Sequence, residues 1–223
     1  MADNPSFTIL DPRPIAVEAR YTFFLPDESE LAALRVGDLV KITFEWEPPV
    51  VEYEAERMWV TIMHIDAGTL MGVLENEPSE QGRLHQGAPV TFERHNVLAV
   101  SWSDPPPLLQ VPEVREYWER CLVDDCVLHE GEPVEYLYRE EPDMAQADDP
   151  YPDSGWRIRG RQGDATDEDM EARKFCYVAL GAVLNKDDSW LSLIDSPIGA
   201  CFVRDFVTGQ YIAQPQADSN QSL

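Results

Sequence analysis

The chain has 223 residues and a formal net charge of −25 at pH 7, because 42 Asp and Glu residues outnumber 17 Lys and Arg residues. This charge disfavours binding to nucleic acids and to anionic membranes, since contact with phosphates requires concentrated Lys and Arg, and it favours a basic partner instead. A hydrophobic content of 43% argues against global disorder, and the length accommodates two domains of about 100 residues each.

The first part of the chain is predicted to be partly extended and partly helical. Frequent prolines predict an extended lead-in over residues 1–20, and an aromatic and apolar run predicts a strand over residues 21–25. Asp27 and Glu30 have the spacing of a capping box, which predicts a short helix that begins there and ends at Gly37.

Residues 39–102 have the pattern of short strands. The predicted strands cover residues 39–46, 58–65, 69–74, 90–93 and 97–102. No helix of crossover length separates them, so we expect neighbouring strands to pair antiparallel. Short strands joined by Gly and Asn turns predict a small, strongly bent or barrel-like sheet.

Three consecutive prolines, Pro105 to Pro107, hold the chain extended and predict a domain boundary. The predicted segments are a β-rich domain over residues 1–104, a Pro-rich linker over 105–111, an α+β domain over 112–213 and a disordered tail over 214–223. The fold class is therefore α+β, with a second domain that combines an antiparallel sheet with one or two helices.

The second domain begins with apolar residues at helical spacing, which predict a helix of about ten residues from Val111. The elements predicted after it are a hairpin with strands at 126–128 and 134–138, an acidic loop at 140–153, a strand at 156–159, a capped acidic stretch at 164–171, a buried helix at 178–184, a helical turn at 188–191, a strand at 198–203 and a closing strand at 211–212.

Two similar segments organise this second domain. They are Asp153 to Arg157 (DSGWR) and Leu193 to Asp205 (LIDSPIGACFVRD), and each places an Asp-Ser pair before a strand-like run that carries an Arg. Gly155 and Gly199 can adopt backbone angles that other residues avoid. The two segments are therefore predicted to be ordered turns at which strands begin.

The polar residues of these segments allow two interpretations. Asp153, Asp195 and Asp205 are either paired acids of an active site or turn residues that accept backbone N–H bonds. Arg157 and Arg204 either contact a partner or pair with these aspartates inside the domain.

Alternation along the strand at 156–159 predicts the direction of its side chains. Trp156 and Ile158 should point inward, and Arg157 and Arg159 should point outward. Trp156, Trp190 and Phe202 are predicted to be core residues.

No catalytic or metal-binding motif is recognised. Cys121 and Cys126 stand in C-x4-C spacing, but no second pair completes a zinc set, so the four cysteines are predicted to be free, buried thiols. None of the histidines has an i+4 or triad-like companion, and the G-x-S-x-G and nucleotide-binding glycine motifs are absent. We therefore expect no cofactor, no metal and no catalysis. Without a signal-like start or a run of about 18 apolar residues, a cytoplasmic location is expected.

The first domain resembles a known bacterial family. The residues that carry the likeness are Glu56 to Val60 (ERMWV), Gly68 to Pro78 with its G-x-L-x-G-x-L-x-N-x-P pattern, and Gly87 to Phe92 (GAPVTF). They resemble the domain-of-unknown-function family numbered twenty-three fourteen, over roughly residues 35 to 103. The likeness implies a fold and no chemistry.

The second domain resembles the immunity-protein family numbered thirty-three of polymorphic toxin systems. The likeness is carried, in order, by Pro133 to Arg139 (PVEYLYR), Asp153 to Arg157 and Leu193 to Asp205, and covers about residues 120 to 213. It implies a non-catalytic protein that binds and neutralises a cognate toxin, and the charge of the chain suggests an acidic surface and a basic toxin.

Two other functions stay open at this point: a regulatory or housekeeping interaction module, whose acidity would only favour solubility, and an unrecognised hydrolase that uses Asp153 and Asp195. The oligomeric state does not follow from the sequence. The residues predicted to form a partner-binding or structural motif are Asp153, Ser154, Trp156, Arg157, Asp195, Ser196, Arg204 and Asp205.

Overall fold

The computed structural model describes residues 6–47, 55–79, 82, 84–106, 111 and 113–215. The chain divides into two compact units, Met1–Val114 and Arg115–Leu223. Each unit is built on a six-stranded, mostly antiparallel sheet with few helices, which confirms the predicted α+β class. Most of the predicted linker and of the predicted tail lies outside the described residues.

The first unit contains a bent, nearly closed sheet. Its elements are β1 (Ser6–Ile9), α1 (Arg13–Glu18), α2 (Glu28–Ala33), β2 (Leu39–Glu47), β3 (Ala55–Asp66), β4 (Thr69–Leu74), β5 (Pro89–Glu93) and β6 (Ala99–Ser101). Strand β2 pairs with β3 along one edge and with β1 and β6 along the other, and β4 and β5 continue the sheet. All of these pairs are antiparallel, as predicted.

The core of this unit follows from the alternation along its strands. Val40, Ile42, Phe44 and Trp46 of β2 all point inward and are buried, because successive side chains of a strand point to opposite faces. Helix α2 begins at Asp27, whose side chain accepts hydrogen bonds from the backbone N–H groups of the first turn, so the predicted capping box is confirmed.

Two predictions for the start of the chain are wrong. Of the predicted extended lead-in, residues 1–5 lie outside the described residues, and residues 6–20 are not simply extended, since β1 pairs with β2 and α1 begins with prolines at its first positions. Residues 21–25 form no strand. The N–H groups of Thr22 and Phe23 donate to the Ala19 carbonyl in a turn, and the Phe23 ring packs under the Arg57 guanidinium instead of joining the sheet.

The second unit contains the sheet on which the motif segments lie. Its elements are β7 (Arg120–Asp124), α3 (Asp125–His129), β8 (Val134–Arg139), β9 (Asp153–Gly160), α4 (Asp167–Glu171), β10 (Phe175–Ala179), α5 (Leu180–Leu184), β11 (Cys201–Arg204) and β12 (Tyr211–Ala213). The strand order is β10-β7-β9-β8-β11-β12. Every pair is antiparallel except β7 with β9, which is parallel.

One face of this sheet packs into the core of the unit. Trp156 and Ile158 of β9 are fully buried there, and the Trp156 ring meets that of Trp190 edge to face with centroids 5.8 Å apart. Val183 and Leu184 of α5 are also buried. The predicted core positions of Trp156 and Trp190 are confirmed, whereas Phe202 is only partly buried.

The helix predicted from Val111 is wrong. Residues 113–118 have no regular structure, and the chain then enters β7 at Arg120. Cys121 and Val123 alternate into the core as strand residues, and β7 gains hydrogen bonds from strands on both sides. Apolar residues three and four apart fit either element over so short a span, and pairing with distant strands decides the outcome here.

Two more elements differ from the sequence prediction. Residues 126–128 belong to α3 instead of a hairpin strand, because the chain leaves β7 directly into a helical turn that buries Val127 and ends at Gly131 with φ of +78°. The predicted helix at 178–184 begins only at Leu180, since Val178 still pairs with Cys121 in the sheet. The predicted cap of the acidic stretch is confirmed, with Thr166 capping α4.

Within the described part of the chain, no helix has both the length and the apolarity needed to cross a lipid bilayer.

Candidate functional site

The three motif segments of the second unit meet in space because β8 lies between β9 and β11. At the end of β8, the Arg139 N–H donates to the Ala200 carbonyl at 2.8 Å, and the Gly199 N–H donates to the Arg139 carbonyl at 2.7 Å. On the other side, the Glu140 N–H donates to the Gly155 carbonyl at 3.0 Å. We call this junction the motif cluster.

Gly155 allows the close approach of two chain segments in the motif cluster. It has φ of +79°, and a Cβ atom at this position would lie 2.1 Å from the carbonyl oxygen of Glu140. Gly199 also has a positive φ, +88°, in the turn before β11. The predicted special backbone angles of these two glycines are confirmed.

Arg157 is the centre of the ion pairs in the motif cluster. Its Nη1 and Nη2 lie 3.0 and 2.9 Å from the two carboxylate oxygens of Asp153, a bidentate arrangement. Nε donates to Glu140 at 2.5 Å, and Nη2 also donates to Asp143 at 2.9 Å. The Arg157 and Asp153 side chains are only 5% and 1% exposed, so the outward direction predicted for Arg157 does not make it a surface residue.

Asp153 ties the acidic loop to the sheet. Its Oδ1 accepts from the Gly155 N–H at 3.0 Å, and its Oδ2 accepts from the N–H groups of Asp143 and Met144 at 3.3 and 3.2 Å. Burial by itself would raise the pKa of Asp153, but the hydrogen bonds from Arg157 and from the backbone outweigh burial and hold the pKa below its ordinary value. The residue combines both roles considered from the sequence, a turn residue and the partner of an arginine.

Arg139 joins the two Asp-Ser segments. Its Nε donates to the Ser154 carbonyl at 3.0 Å, and its Nη1 donates to the Ser196 carbonyl at 2.8 Å. The Ser154 hydroxyl donates to the Arg120 carbonyl at 2.7 Å, and the Trp156 indole N–H donates to the Ile194 carbonyl at 3.1 Å. Ser154, Trp156 and Ser196 therefore lie within one hydrogen-bonded scaffold.

The remaining predicted residues do not converge on Asp153. Asp195 is exposed and pairs with Arg115, with oxygen to nitrogen distances of 2.6 and 2.7 Å. Arg204 pairs with Asp187 at 2.9 Å, not with any of the predicted aspartates. Asp205 accepts from the Val207 N–H and the Thr208 hydroxyl, both at 2.8 Å, and so shapes the turn between β11 and β12.

A second buried carboxylate, Asp124, was not singled out from the sequence. Its side chain is fully buried at the end of β7, where it lies 2.9 Å from Arg159 and 3.2 Å from Arg173. The Gly160 N–H donates to it at 3.0 Å. In the sequence, Asp124 is recognisable only as an Asp that ends an apolar run. The parallel pairing of β7 with β9, which brings Arg159 and Gly160 close to it, has no local sequence pattern.

One further group of titratable side chains lies at α3. Asp125 accepts from Cys176 at 3.1 Å and contacts His129 Nδ1 at 2.9 Å, so the expectation that His129 lacks a companion on a helix is wrong. These three are the group of possible metal ligands within the described residues, with ligand atoms within 4.8 Å of one another. The hydrogen bond to Asp125 raises the pKa of the Cys176 thiol.

The four cysteines are free thiols, as predicted, but the prediction that all of them are buried is wrong, because Cys126, Cys176 and Cys201 are only partly buried. Cys121 is fully buried, and burial raises the pKa of its thiol, which makes it unreactive.

The lowered pKa values predict an acid-sensitive second unit. Asp153, Asp149 and Asp195 all have pKa values below the ordinary range, mainly through arginine hydrogen bonds that overcome desolvation. A carboxylate with a lower pKa in the folded state stabilises the fold above its unfolded pKa of about 4, and this stabilisation is lost as the pH falls further.

Urea unfolding followed from pH 7 to pH 3 should therefore show the steepest loss of stability below about pH 4. Relief of repulsion among the excess carboxylates acts in the opposite direction between pH 7 and 5, so the diagnostic interval lies below that range. The Asp153→Asn variant should be less stable at pH 7 and should show a flatter dependence on pH. A wild-type stability that rises from pH 4 to pH 3 would contradict the role given to these carboxylates.

Comparison with known protein families finds one match in each region of the chain. Residues 121–213 match the family model described as Immunity protein Imm33 domain. Residues 30–102 match the model described as Uncharacterized protein conserved in bacteria (DUF2314). No curated protein and no solved structure matches the chain. Both resemblances expected from the motifs are confirmed. The chain thus carries a DUF2314-like region followed by a region similar to the Imm33 immunity domain.

Proposed function

We propose that this chain is a non-catalytic, cytoplasmic immunity protein that binds and neutralises a cognate bacterial toxin through an acidic surface. The observation that carries the proposal is the match of residues 121–213 to the Imm33 immunity domain. This range takes in almost the whole sheet of the second unit, from Cys121 of β7 to the end of β12 at Ala213.

The burial of Asp153 supports a binding role over the hydrolase alternative. Its side chain is 1% exposed, and both of its carboxylate oxygens already accept hydrogen bonds. Asp195 is engaged separately, with Arg115. Two catalytic carboxylates must both contact the same substrate. Asp153 is too buried for such contact, and Asp195 is paired with Arg115 instead of lying beside Asp153.

The use of the arginines supports an acidic surface. Arg120, Arg157, Arg159 and Arg204 pair with carboxylates inside the second unit, so they do not neutralise its outer surface. The exposed carboxylates of the second unit include Glu130, Glu132, Glu141, Asp148, Asp164, Asp167, Glu168 and Glu171. Such a surface would attract a basic toxin and accelerate its association.

A basic partner is consistent with one common class of toxin. Enzymes that cleave nucleic acids carry positive charge around their active sites, because their substrates are polyanions. Carboxylates on an immunity protein can occupy the same positive cleft in place of phosphates. The regulatory alternative predicts a different partner and gives no reason for protection against a toxin.

Co-expression with the toxin encoded beside this gene tests the proposal. We expect the full chain to restore growth and to co-elute with the toxin in size-exclusion chromatography. The association rate should fall at least about tenfold between 0.05 and 0.5 M salt, because screening shortens the range of electrostatic attraction. The Asp195→Asn variant should protect as well as the wild type, whereas an enzyme that uses this acid would lose protection. Absence of both rescue and complex would refute the proposal.

A further inference from the structure

The sheet of the second unit has a face opposite to its core. Trp156 and Ile158 point to the core face, and Arg157 and Arg159, which alternate with them, point to the other face. On that face, the register aligns Arg157 with Tyr138, and it aligns Arg159 with Tyr136 and Val203 across β9, β8 and β11. Tyr136, Tyr138 and Val203 are only partly buried, so two aromatic rings and an aliphatic side chain remain accessible there.

This face contains two adjoining depressions. One is bordered by Glu135 and by Asp167 and Glu171 of α4, and the other by Glu140 and Glu141 at the start of the acidic loop. Tyr136 lines both depressions and Tyr138 lines the second, so the two depressions adjoin at the Tyr136 ring and together make up one concave surface. We call it the tyrosine groove.

The two tyrosine rings of the tyrosine groove contact each other in a tilted arrangement. The rings of Tyr136 and Tyr138 lie with centroids 5.6 Å apart, and the Tyr136 hydroxyl accepts from the Cys201 thiol at 3.3 Å. Two rings fixed in this way present a rigid amphipathic surface, and Tyr is one of the residue types that contribute most to protein interfaces.

The arginines that line the tyrosine groove are already engaged. Arg159 pairs with Asp124 at 2.9 Å and donates to the Met170 carbonyl at 2.6 Å. Arg139 donates to the carbonyls of Ser154 and Ser196. The guanidinium groups of these two arginines therefore contact other parts of the fold. The carboxylates of Glu141 and Glu171, in contrast, are exposed at the rim.

This combination selects a cationic occupant. A guanidinium or ammonium group over a tyrosine face gains a cation–π interaction, and a carboxylate at the rim can pair with the same group. A negatively charged or purely apolar occupant would leave the rim carboxylates without compensation when water is excluded.

We propose that the tyrosine groove is the surface on which this chain binds its toxin, and that its occupant is a surface segment of the toxin that presents Lys or Arg. This rests on the proposed function and assigns it to one face of the second unit. The motif cluster then acts as the support of the groove, since Arg157 holds Glu140 and the acidic loop against β9. Contact with the toxin is made by Tyr136, Tyr138 and the rim carboxylates.

A pair of charge reversals on opposite rims tests the groove. The variant Glu141→Lys with Glu171→Lys changes two exposed side chains and should fold normally, which thermal unfolding can verify. Its dissociation constant for the adjacent-gene toxin, measured by calorimetry, should rise about 100-fold. The matched control, Glu18→Lys with Glu77→Lys, changes the net charge by the same amount through exposed residues of the first unit. It should raise the dissociation constant less than about fivefold.

A floor variant tests the aromatic contribution separately. Tyr138→Leu removes the aromatic face and the hydroxyl and leaves a smaller, aliphatic side chain, and it should weaken binding roughly tenfold. If the rim double variant binds as tightly as the wild type, the tyrosine groove is not the toxin-binding surface, while the proposed function stands. Equal weakening by the control would mean that attraction is general and would also overturn the groove. If the wild-type chain forms no complex, the proposed function fails as well.

Discussion

Replacement of Arg157 by Met is expected to lower the free energy of unfolding of the second unit by about 3–5 kcal/mol at pH 7. Removal of this guanidinium leaves the Asp153 carboxylate, 1% exposed, without its cationic partner. It also leaves Glu140 and Asp143 close to that carboxylate without the charge that holds them together. An uncompensated buried charge is among the most destabilising changes that a substitution can produce.

Urea unfolding of the Arg157→Met variant measures this loss, and Arg115→Met provides a matched control. Arg115 also forms a bidentate pair with an aspartate, Asp195, but both side chains are more than half exposed. The control should therefore cost about 0–1 kcal/mol. Loss of Arg157 should also raise the pKa of Asp153, so the destabilisation should shrink as the pH is lowered towards 4. A cost below about 1 kcal/mol would contradict the structural role of Arg157 and would restore its interpretation as a surface anchor.

Replacement of Gly155 by Ala is expected to cost more than about 4 kcal/mol, which is exceptional for a single added methyl group. The positive φ accounts for about 1–2 kcal/mol of this cost. The rest comes from overlap, because the new Cβ would lie 2.1 Å from the Glu140 carbonyl oxygen, and this atom belongs to the backbone of the neighbouring chain segment. The hydrogen bond from the Glu140 N–H to the Gly155 carbonyl would be displaced with it.

Gly209→Ala is the matched control for this prediction. Gly209 has φ of +74°, close to that of Gly155, but no atom lies within 4 Å of the position of a Cβ. Its substitution should cost only about 1–2 kcal/mol, the contribution of the backbone angle. Thermal unfolding monitored by the near-ultraviolet signal of the buried tryptophans compares the two variants. Equal melting temperatures would show that the strands β8 and β9 do not approach as closely at Gly155 as described.

The parts of the fold that depend on local signals could be predicted from the sequence. The apolar residues from Leu39 to Trp46 predicted β2 although their alternation is imperfect, and the capping box at Asp27 predicted helix α2. The cap predicted at Thr166 is also present. Gly155 and Gly199 were recognised because a positive φ has a chemical signature in the residue type itself.

The parts that depend on distant pairing could not be predicted. Arg157 alternates outward like Arg159, and its burial results from Glu140, Asp143 and Asp153, which the acidic loop brings over the sheet. No local pattern gives the direction of that loop. The pairing of Arg204 with Asp187 likewise depends on tertiary structure, because 17 residues separate them along the chain.

The rim of the proposed contact surface lies outside the family motif, whereas the floor residues Tyr136 and Tyr138 belong to the motif segment Pro133 to Arg139. The motif segments are rich in residues that the fold itself needs, such as the buried pair of Asp153 and Arg157 and the close approach at Gly155. The groove residues Glu141 and Glu171 lie outside those segments, at exposed positions where the fold sets few constraints. Partner specificity can therefore change at the rim while the scaffold stays the same.

The measurement that tests the central claim most directly is a titration of the enzymatic activity of the adjacent-gene toxin with the purified full chain. A non-catalytic immunity protein acts by occupying its toxin, so we expect inhibition to rise linearly with the amount added and to be complete at a molar ratio of about one, provided that the toxin concentration is far above the dissociation constant. The inhibited toxin should regain activity when the complex is dissociated. Inactivation by a small fraction of an equivalent, or full toxin activity in the presence of excess chain, would contradict the account.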